Sequence, residues 1–263
     1  MQNHSHEEIE KHIDESIEKE TIFLNFQPKV FISSGLVCGY EALLRLPLLN
    51  GMYVQPSQVI NIAEQNGKIL EIGAFVIREV CFYIRMLDQL GIRIPISVNV
   101  SAPQFMNRGF FEYIESQFDF FGIRHLGYLL EIELTESMMI HDPETVISVL
   151  SKLNNLGIKL AIDDFGVGYS SLNQLKRLPV DHLKIDKSFV ENIETSEKDR
   201  FVIKAIISLA HEFGMTVIAE GIENRHQADW LLNAGCEMGQ GFLFGKPKPF
   251  NEISKTRLSI VAS

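Results

Sequence analysis

Short apolar segments alternate with helical segments over most of the chain. Beyond residue 90, the strand-like runs lie at 94–100, 128–134, 159–162, 182–185, 216–219 and 241–244. Helical patterns lie between several of them, at 143–156, 198–213 and 224–234. The first of these helices has a capping residue, Asp142, and a proline in its first turn. Strands that alternate with helices in this way predict a parallel sheet.

The first 90 residues follow a different pattern. Residues 7–20 predict a charged helix with a narrow apolar stripe. Two apolar segments, 22–27 and 37–44, flank a short Ser-Ser-Gly turn and predict an antiparallel hairpin. Helical spacing follows at 56–66 and 69–90. The hairpin brings the strand count to eight, which favours a closed barrel over an open, doubly wound sheet. The predicted organisation is therefore an N-terminal charged helix, 1–20, and a single barrel domain, 21–263.

Composition and charge narrow the class of protein. A length of 263 residues and a hydrophobic content of 46% suit one α/β barrel with a full core. Three cysteines without close spacing argue against a disulfide framework or a zinc knuckle and favour a reducing cytoplasm. No apolar run is long enough to span a membrane. The net charge of −10 speaks against sequence-independent binding to DNA.

Polar residues in or just after the predicted strands carry the candidate chemistry. In a parallel barrel the C-terminal ends of all strands share one face, so side chains from different strands converge there. The residues at these positions are Glu41, Asn99, Glu133, Asp163, Asp164, Lys184, Asp186, Glu220 and Gln240. Each one alone has a structural explanation, such as a salt bridge or a solvated turn. Six carboxylates at one face need compensating positive charge, which favours a functional site.

The kinds of side chain in this set indicate the chemistry. Oxygen ligands without cysteine or histidine favour Mg²⁺ or Mn²⁺ over zinc. Two such ions can neutralise a phosphate and activate water. Lys184 is placed to orient or deprotonate that water, and Arg45 to meet a phosphate or to form a salt bridge at the barrel rim. The sequence has no GxxxxGK[ST], GxSxG or HExxH motif.

An ordered set of motifs resembles the EAL-domain cyclic di-GMP phosphodiesterases. It comprises Gln27-Pro28, Glu41-Ala-Leu-Leu-Arg45, Asn99-Val-Ser101, Glu133-Leu-Thr-Glu136-Ser, Asp163-Asp-Phe-Gly-Val-Gly-Tyr-Ser-Ser171, Lys184-Ile-Asp186, Ala219-Glu-Gly-Ile-Glu223 and Gln240-Gly-Phe-Leu-Phe-Gly-Lys-Pro247. The resemblance implies a modified TIM-like (β/α)8 barrel whose first strand is antiparallel. It also implies hydrolysis of cyclic di-GMP, a bacterial second messenger, to linear pGpG with two Mg²⁺ or Mn²⁺ ions, and a homodimer.

The resemblance also implies a role for each matching residue. One metal would be held by Glu41, Asn99, Glu133 and Asp163. The second would be held by Asp163, Asp164 and Glu220, with Asp186 close by. Lys184 resembles the lysine that holds the nucleophilic water, and we count it as catalytic together with Glu41 and Glu220. The positions near the substrate are Gln27, Arg45 and Gln240. The supporting acids are Glu136, which is associated with ordering the loop after Asp164, and Glu223.

The sequence departs from the family pattern at three positions. Val167 replaces the usual threonine of the DDFGTG loop, Leu46 a common tryptophan and Phe242 a common tyrosine. Since valine has no hydroxyl group, Val167 favours an alternative function, a catalytically inert cyclic di-GMP receptor or protein-interaction module. A different metal-dependent barrel enzyme would explain the acids but not the ordered motifs.

Overall fold

The structure, a computed structural model, describes residues 6–19, 21–48, 53–139, 142–167 and 175–253. Parts of the predictions lie outside the described residues. They are residues 1–5 and 20 of the N-terminal segment, residues 168–171 of the glycine-rich motif, and residues 49–52, 140–141, 172–174 and 254–263 of the barrel domain.

A closed barrel of eight strands forms the centre of the molecule. The strands are β1 Phe23–Phe31, β2 Val37–Arg45, β3 Ile96–Asn99, β4 Leu130–Thr135, β5 Lys159–Phe165, β6 His182–Ile185, β7 Thr216–Ala219 and β8 Met238–Gln240. They run in the order β2-β3-β4-β5-β6-β7-β8-β1, and pairing of β1 with β2 closes the sheet. β1 is antiparallel to both neighbours, whereas β2 to β8 are mutually parallel. The prediction of a modified barrel with an antiparallel first strand is therefore confirmed.

Helices cover the outside of this barrel. They are α1 His6–Glu18, α2 Pro56–Asn66, α3 Ile69–Gln89, α4 Ala102–Phe105, α5 Phe110–Phe121, α6 Pro143–Asn155, α7 Lys187–Glu191, α8 Glu197–Glu212 and α9 Arg225–Asn233. Short 3₁₀ turns occupy Arg124–Leu129 and Glu136–Met139, and a two-residue strand, β9, pairs Lys248–Pro249 with β1. The predicted cap of α6 is confirmed, because the Asp142 side chain accepts a hydrogen bond from the Thr145 N–H.

The main hydrophobic core lies between the barrel and its helices. Successive side chains on a strand point to opposite faces. On β4, for example, Ile132 and Leu134 belong to the core outside the barrel, whereas Glu131 and Glu133 hydrogen bond to Lys29 of β1 across its interior. The barrel therefore has an apolar outer face and a largely polar interior.

The N-terminal helix α1 packs on a second, smaller core. Ile9 and Ile13 are buried there against α2 and the segment that follows β2. Leu46, which replaces the family's tryptophan, is also buried in this cluster, and the neighbouring Pro47 carbonyl lies 2.6 Å from Nε2 of His12. The division into a helix, 1–20, and a barrel domain, 21–263, stays a prediction. No helix within the described ranges is both long and apolar enough to cross a bilayer.

The prediction of a last strand at 241–244 is wrong. The eighth strand is Met238–Gln240, and the chain then turns, with the N–H of Gly245 bonded to the carbonyl of Gly241. Gly241 lies so close to the backbone of Ile222 that a Cβ atom there would be 2.1 Å from the Ile222 oxygen. The apolar run that suggested a strand is thus a tight turn, and its Phe242 is exposed.

Candidate active site

All eight barrel strands bring a polar side chain to one end of the barrel, which we call the mouth. For β2 to β8 this is the C-terminal end. β1 runs the other way and contributes from its middle, where Gln27 pairs with Glu41 of β2. The mouth residues are Gln27, Glu41, Asn99, Glu133, Asp163, Lys184, Glu220 and Gln240. The structure thus brings together seven of the residues predicted at the strand ends, and Gln27 lies with them.

Lys184 occupies the centre of the mouth and is completely buried. Its Nζ lies 2.5 Å from Oε2 of Glu133, 2.7 Å from Oε1 of Glu220 and 3.0 Å from Oδ1 of Asp163. Burial works to lower the pKa of Lys184, but the surrounding carboxylates outweigh this effect and raise it well above its usual value. Lys184 is therefore a permanently charged hydrogen-bond donor in this arrangement.

Glu41 is held on the other side of the mouth by two amides. Asn99 Nδ2 donates to its Oε1 at 2.6 Å, and Gln240 Nε2 donates to its Oε2. Gln240 also donates to Gln27, so the three strands β8, β1 and β2 are linked at this level. Burial raises the pKa of Glu41, and the positive charge of Lys184 only partly opposes this effect.

Asp163 and Asp164 converge because the chain turns between them. Asp164 has φ of 52°, in the left-handed region, and the pairing of β5 with β6 is interrupted between Ile162 and Phe165. The Asp164 N–H donates to Oδ1 of Asp163 at 2.9 Å. Oxygens of Asp163, Asp164 and Glu220 all come within 4.8 Å of one another. The turn thus overcomes the tendency of adjacent strand residues to point apart.

The electrostatics of these three acids fit a divalent cation. Burial, followed by the charges of Asp163 and Asp186, raises the pKa of Asp164 to about 6. Burial raises the pKa of Glu220 to about 8, because the nearby Asp163 and Glu41 add to its effect and Lys184 only partly opposes it. The positive charge of Lys184 therefore does not fully offset burial and mutual repulsion at Asp164 and Glu220, and the oxygen donors of the cluster are those that Mg²⁺ and Mn²⁺ prefer.

The remaining predicted residues surround this cluster. Asp186 caps α7 by accepting from the Ser188 N–H at 3.0 Å, and its charge is close enough to raise the pKa of Asp164. Buried Glu136 accepts from the Gly166 N–H at 3.1 Å and so fixes the start of the loop after Asp164. Arg45, at the end of β2, is partly buried and donates to the Leu44 carbonyl at 2.7 Å.

A cleft of about 290 Å³ opens above the mouth. Mouth residues form its floor, and exposed Glu223 and Phe242 line its side. Lys187, from the first turn of α7, adds a positive charge to its wall. The cleft therefore has an acidic floor, and its wall carries one basic side chain, Lys187, and one aromatic side chain, Phe242.

Three charged or titratable residues below the mouth were missed from the sequence. Lys29, Glu131 and His182 each lie two positions along a strand from a mouth residue, and they hydrogen bond to one another inside the barrel. The period of two along a strand was the signal that could have identified them, since residues i and i+2 share a face.

Comparisons with known proteins agree on one family. A family model described as EAL domain matches residues 10–247. The signalling protein YkoW of Bacillus subtilis is 38% identical over 89% of this chain, and the bifunctional diguanylate cyclase/cyclic di-GMP phosphodiesterase MucR of Pseudomonas aeruginosa is 35% identical over 91%. The chain spans only 29% and 35% of the length of these two relatives.

Solved structures show the same similarity. The phosphodiesterase of PaMucR in complex with c-di-GMP superposes with a TM-score of 0.89 at 33% identity, covering 93% of this chain and 99% of that one. The EAL enzyme Bd1971 in its cGMP-bound form gives a TM-score of 0.89 at 32% identity and covers 95% of this chain and 69% of that one.

Proposed function

This chain belongs to the EAL domain family, and we propose that it is a metal-dependent phosphodiesterase that hydrolyses cyclic di-GMP to linear pGpG. The observation that carries the proposal is that Glu41, Asn99, Glu133, Asp163, Lys184 and Glu220 converge at one mouth, with Asp164 and Asp186 beside it. Two relatives named as cyclic di-GMP phosphodiesterases support the choice of substrate. They are MucR of Pseudomonas aeruginosa and PdeR of Escherichia coli.

The donor set suggests two divalent cations. Glu41, Asn99, Glu133 and Asp163 would hold one, and Asp163, Asp164 and Glu220 the other, with Asp186 beside Asp164. Bound there, Mg²⁺ or Mn²⁺ would neutralise the phosphate and lower the pKa of the attacking water. Asp163 belongs to both sets by its position in the motif, and one of its carboxylate oxygens lies within 4.8 Å of oxygens of Asp164 and Glu220.

Lys184 would orient the attacking water rather than deprotonate it. Its ammonium group is kept charged by three carboxylates, so it can donate a hydrogen bond but cannot accept a proton. Water would add to phosphorus as the bond to the 3′ oxygen breaks, which leaves a 5′ phosphate and a 3′ hydroxyl on linear pGpG. The three carboxylates that share Lys184 belong to Glu133, Asp163 and Glu220, and one of them would accept the proton from water.

The substrate would lie in the cleft above the mouth. Gln27 and Gln240 are joined by a hydrogen bond at its floor and would contact the nucleotide. Arg45, at the end of β2, and Lys187, in the cleft wall, supply positive charge for a substrate with two phosphates. Glu136 and Glu223 would act as supporting acids, the first through its bond to the loop at Gly166.

The test is a comparison of two isosteric substitutions of glutamate. Glu220→Gln removes a mouth carboxylate, whereas Glu237→Gln removes a carboxylate bonded to His211 and the Val217 N–H, away from the mouth. Purified proteins would be incubated with cyclic di-GMP and Mn²⁺, and the nucleotides separated by chromatography. We expect the wild type and Glu237→Gln to form pGpG at similar rates. The rate for Glu220→Gln should be lower by at least about 100-fold, which is the effect of losing one interaction with the transition state. Equal rates for the two variants would contradict the assignment.

An inert cyclic di-GMP receptor is the second candidate. Val167 favours it, because an exposed valine lacks the hydroxyl group that the usual threonine offers to the loop after Asp164. Nucleotide binding without turnover in Mg²⁺ or Mn²⁺ would support this candidate over the enzyme.

The homodimer, the cytoplasmic location and the lack of DNA binding stay predictions. For the first, light scattering should give twice the chain mass of 29.9 kDa.

A further inference from the structure

A second polar layer lies inside the barrel directly below the mouth. Its members are each two residues along a strand from a mouth residue, so they face the same interior. They are Lys29 on β1, Ser97 on β3, Glu131 on β4 and His182 on β6. Lys29, Glu131 and Ser97 are almost completely buried.

Hydrogen bonds connect this layer to the mouth in one continuous chain. Lys29 Nζ donates to Glu131 and, at 2.6 Å, to Oε1 of Glu133. The other oxygen of Glu133, Oε2, accepts from Lys184 at 2.5 Å. Glu131 in turn bonds His182 through its second oxygen. Each oxygen of the Glu133 carboxylate therefore has its own lysine, one from below and one from the mouth.

The buried charges of the lower layer are not explained by their contribution to the stability of the fold. Burial lowers the pKa of Lys29, but Glu131 and Glu133 outweigh it, so the lysine stays charged. A buried ion pair is often no more stabilising than apolar side chains of similar size, because removing two charges from water is costly. The presence of Lys29 inside the barrel is therefore better explained by its hydrogen bond to Glu133 than by stability.

We propose that Lys29 is a positioning residue for the metal site. It holds Oε1 of Glu133 from below, which leaves Oε2 directed into the mouth, and Glu131, tethered by His182, holds Lys29 in turn. The inference rests on the proposed function in so far as Glu133 is a metal ligand. Hydrogen-bond partners of metal-binding carboxylates typically change metal affinity by about 10–100-fold when they are removed.

The informative variant changes two residues together. Lys29→Met alone would leave two buried carboxylates without their shared cation and would endanger folding. In Lys29→Met/Glu131→Leu the lower layer loses one positive and one negative charge, so its net charge is unchanged. Methionine and leucine approximate the shapes of the residues they replace. Any loss of metal affinity then reflects the missing hydrogen bond to Glu133 rather than a change in net charge.

Metal binding would be measured without nucleotide, by the electron paramagnetic resonance signal of free Mn²⁺. We expect the double variant to bind Mn²⁺ roughly 10–100-fold more weakly than the wild type. Ser97→Ala is the matched control in the same layer. The Ser97 hydroxyl has no hydrogen-bond partner among the described residues, so its removal should leave the affinity unchanged. Thermal unfolding in chelator checks that each variant is folded.

A second neutral pair covers the case in which the first does not fold. Lys29→Gln/Glu131→Gln keeps the layer polar but shortens the side chain at position 29, so the donor no longer reaches Glu133. The same loss of Mn²⁺ affinity is expected. Wild-type affinity in a folded form of either double variant would overturn the role of Lys29.

Failure of this inference differs from failure of the proposed function. A wild type that binds Mn²⁺ but leaves cyclic di-GMP intact would overturn the enzymatic proposal and leave the role of Lys29 standing, provided that the double variants bind more weakly. Normal turnover by the wild type, together with unchanged Mn²⁺ affinity in the double variants, would overturn the role of Lys29 and leave the enzymatic proposal standing.

Discussion

Replacing Asp163 with asparagine should separate the stability of the fold from metal binding. The amide has the shape of the carboxylate but carries no charge. Without metal, Asp163 repels Asp164 and Glu220 and is among the causes of their raised pKa values. Lys184 would keep two of its carboxylate partners, Glu133 and Glu220. We therefore expect the melting temperature of Asp163→Asn in chelator to equal or exceed that of the wild type.

Adding metal should make the wild type melt at a higher temperature than Asp163→Asn. A ligand at about 100 times its dissociation constant stabilises the folded state by roughly 2.7 kcal/mol. Domains of roughly 150–250 residues gain about 2–4 °C for each kcal/mol. One bound ion should thus raise the melting temperature of the wild type by roughly 5–10 °C, and the rise should be nearly absent in Asp163→Asn because the shared carboxylate is missing.

Differential scanning fluorimetry with chelator, and then with increasing Mn²⁺, measures both effects. Glu237→Gln serves as the control, since it removes a carboxylate elsewhere and should keep the full metal-dependent rise. A rise in Asp163→Asn equal to that of the wild type would show that Asp163 does not bind the metal. A much lower melting temperature of the variant in chelator would show that Asp163 has a structural role instead.

Three further substitutions test other parts of the account. Glu41→Ala should abolish turnover and keep the fold. Of its two amide partners, Gln240 stays bonded to Gln27 and Asn99 is exposed, so neither is left buried without a partner. Retained hydrolysis would contradict the role of Glu41. Val167→Thr should preserve or raise turnover, since this side chain is 63% exposed, and a clear loss would show that the loop depends on valine. Ile13→Ala should cost about 2–5 kcal/mol in denaturant unfolding by leaving a cavity under α1, whereas an unchanged midpoint would mean that α1 contributes little to the fold.

The alternation of strands and helices was enough to predict the barrel. The predicted hairpin, the helices beginning at Pro56 and Pro143, and the strands beginning at Lys159, His182 and Thr216 all occur in the structure. The last strand was misplaced because glycines hide its pattern. Met238–Gln240 contains Gly239, which contributes no side chain to the alternation, while the more apolar segment after it forms a turn.

The mouth was easier to predict than the layer that supports it. Residues at the ends of strands interrupt an apolar run and are conspicuous in the sequence, as Glu133 and Lys184 are. Lys29 follows a proline within β1, and the predicted strand stopped two residues before it. Its partners become evident only from the register of the closed barrel, which brings β1 and β4 together across the interior. Likewise, only the backbone turn at Asp164 explains how adjacent acids converge.

We propose above all that this protein hydrolyses cyclic di-GMP and that the reaction needs a divalent metal held by the mouth residues. The most direct measurement follows one sample of wild-type protein through chelation and reloading while cyclic di-GMP and pGpG are quantified by chromatography. We expect no pGpG in chelator and a return of pGpG formation when Mg²⁺ or Mn²⁺ is restored in excess. Hydrolysis that continues in chelator, or no pGpG with either metal, would contradict this proposal.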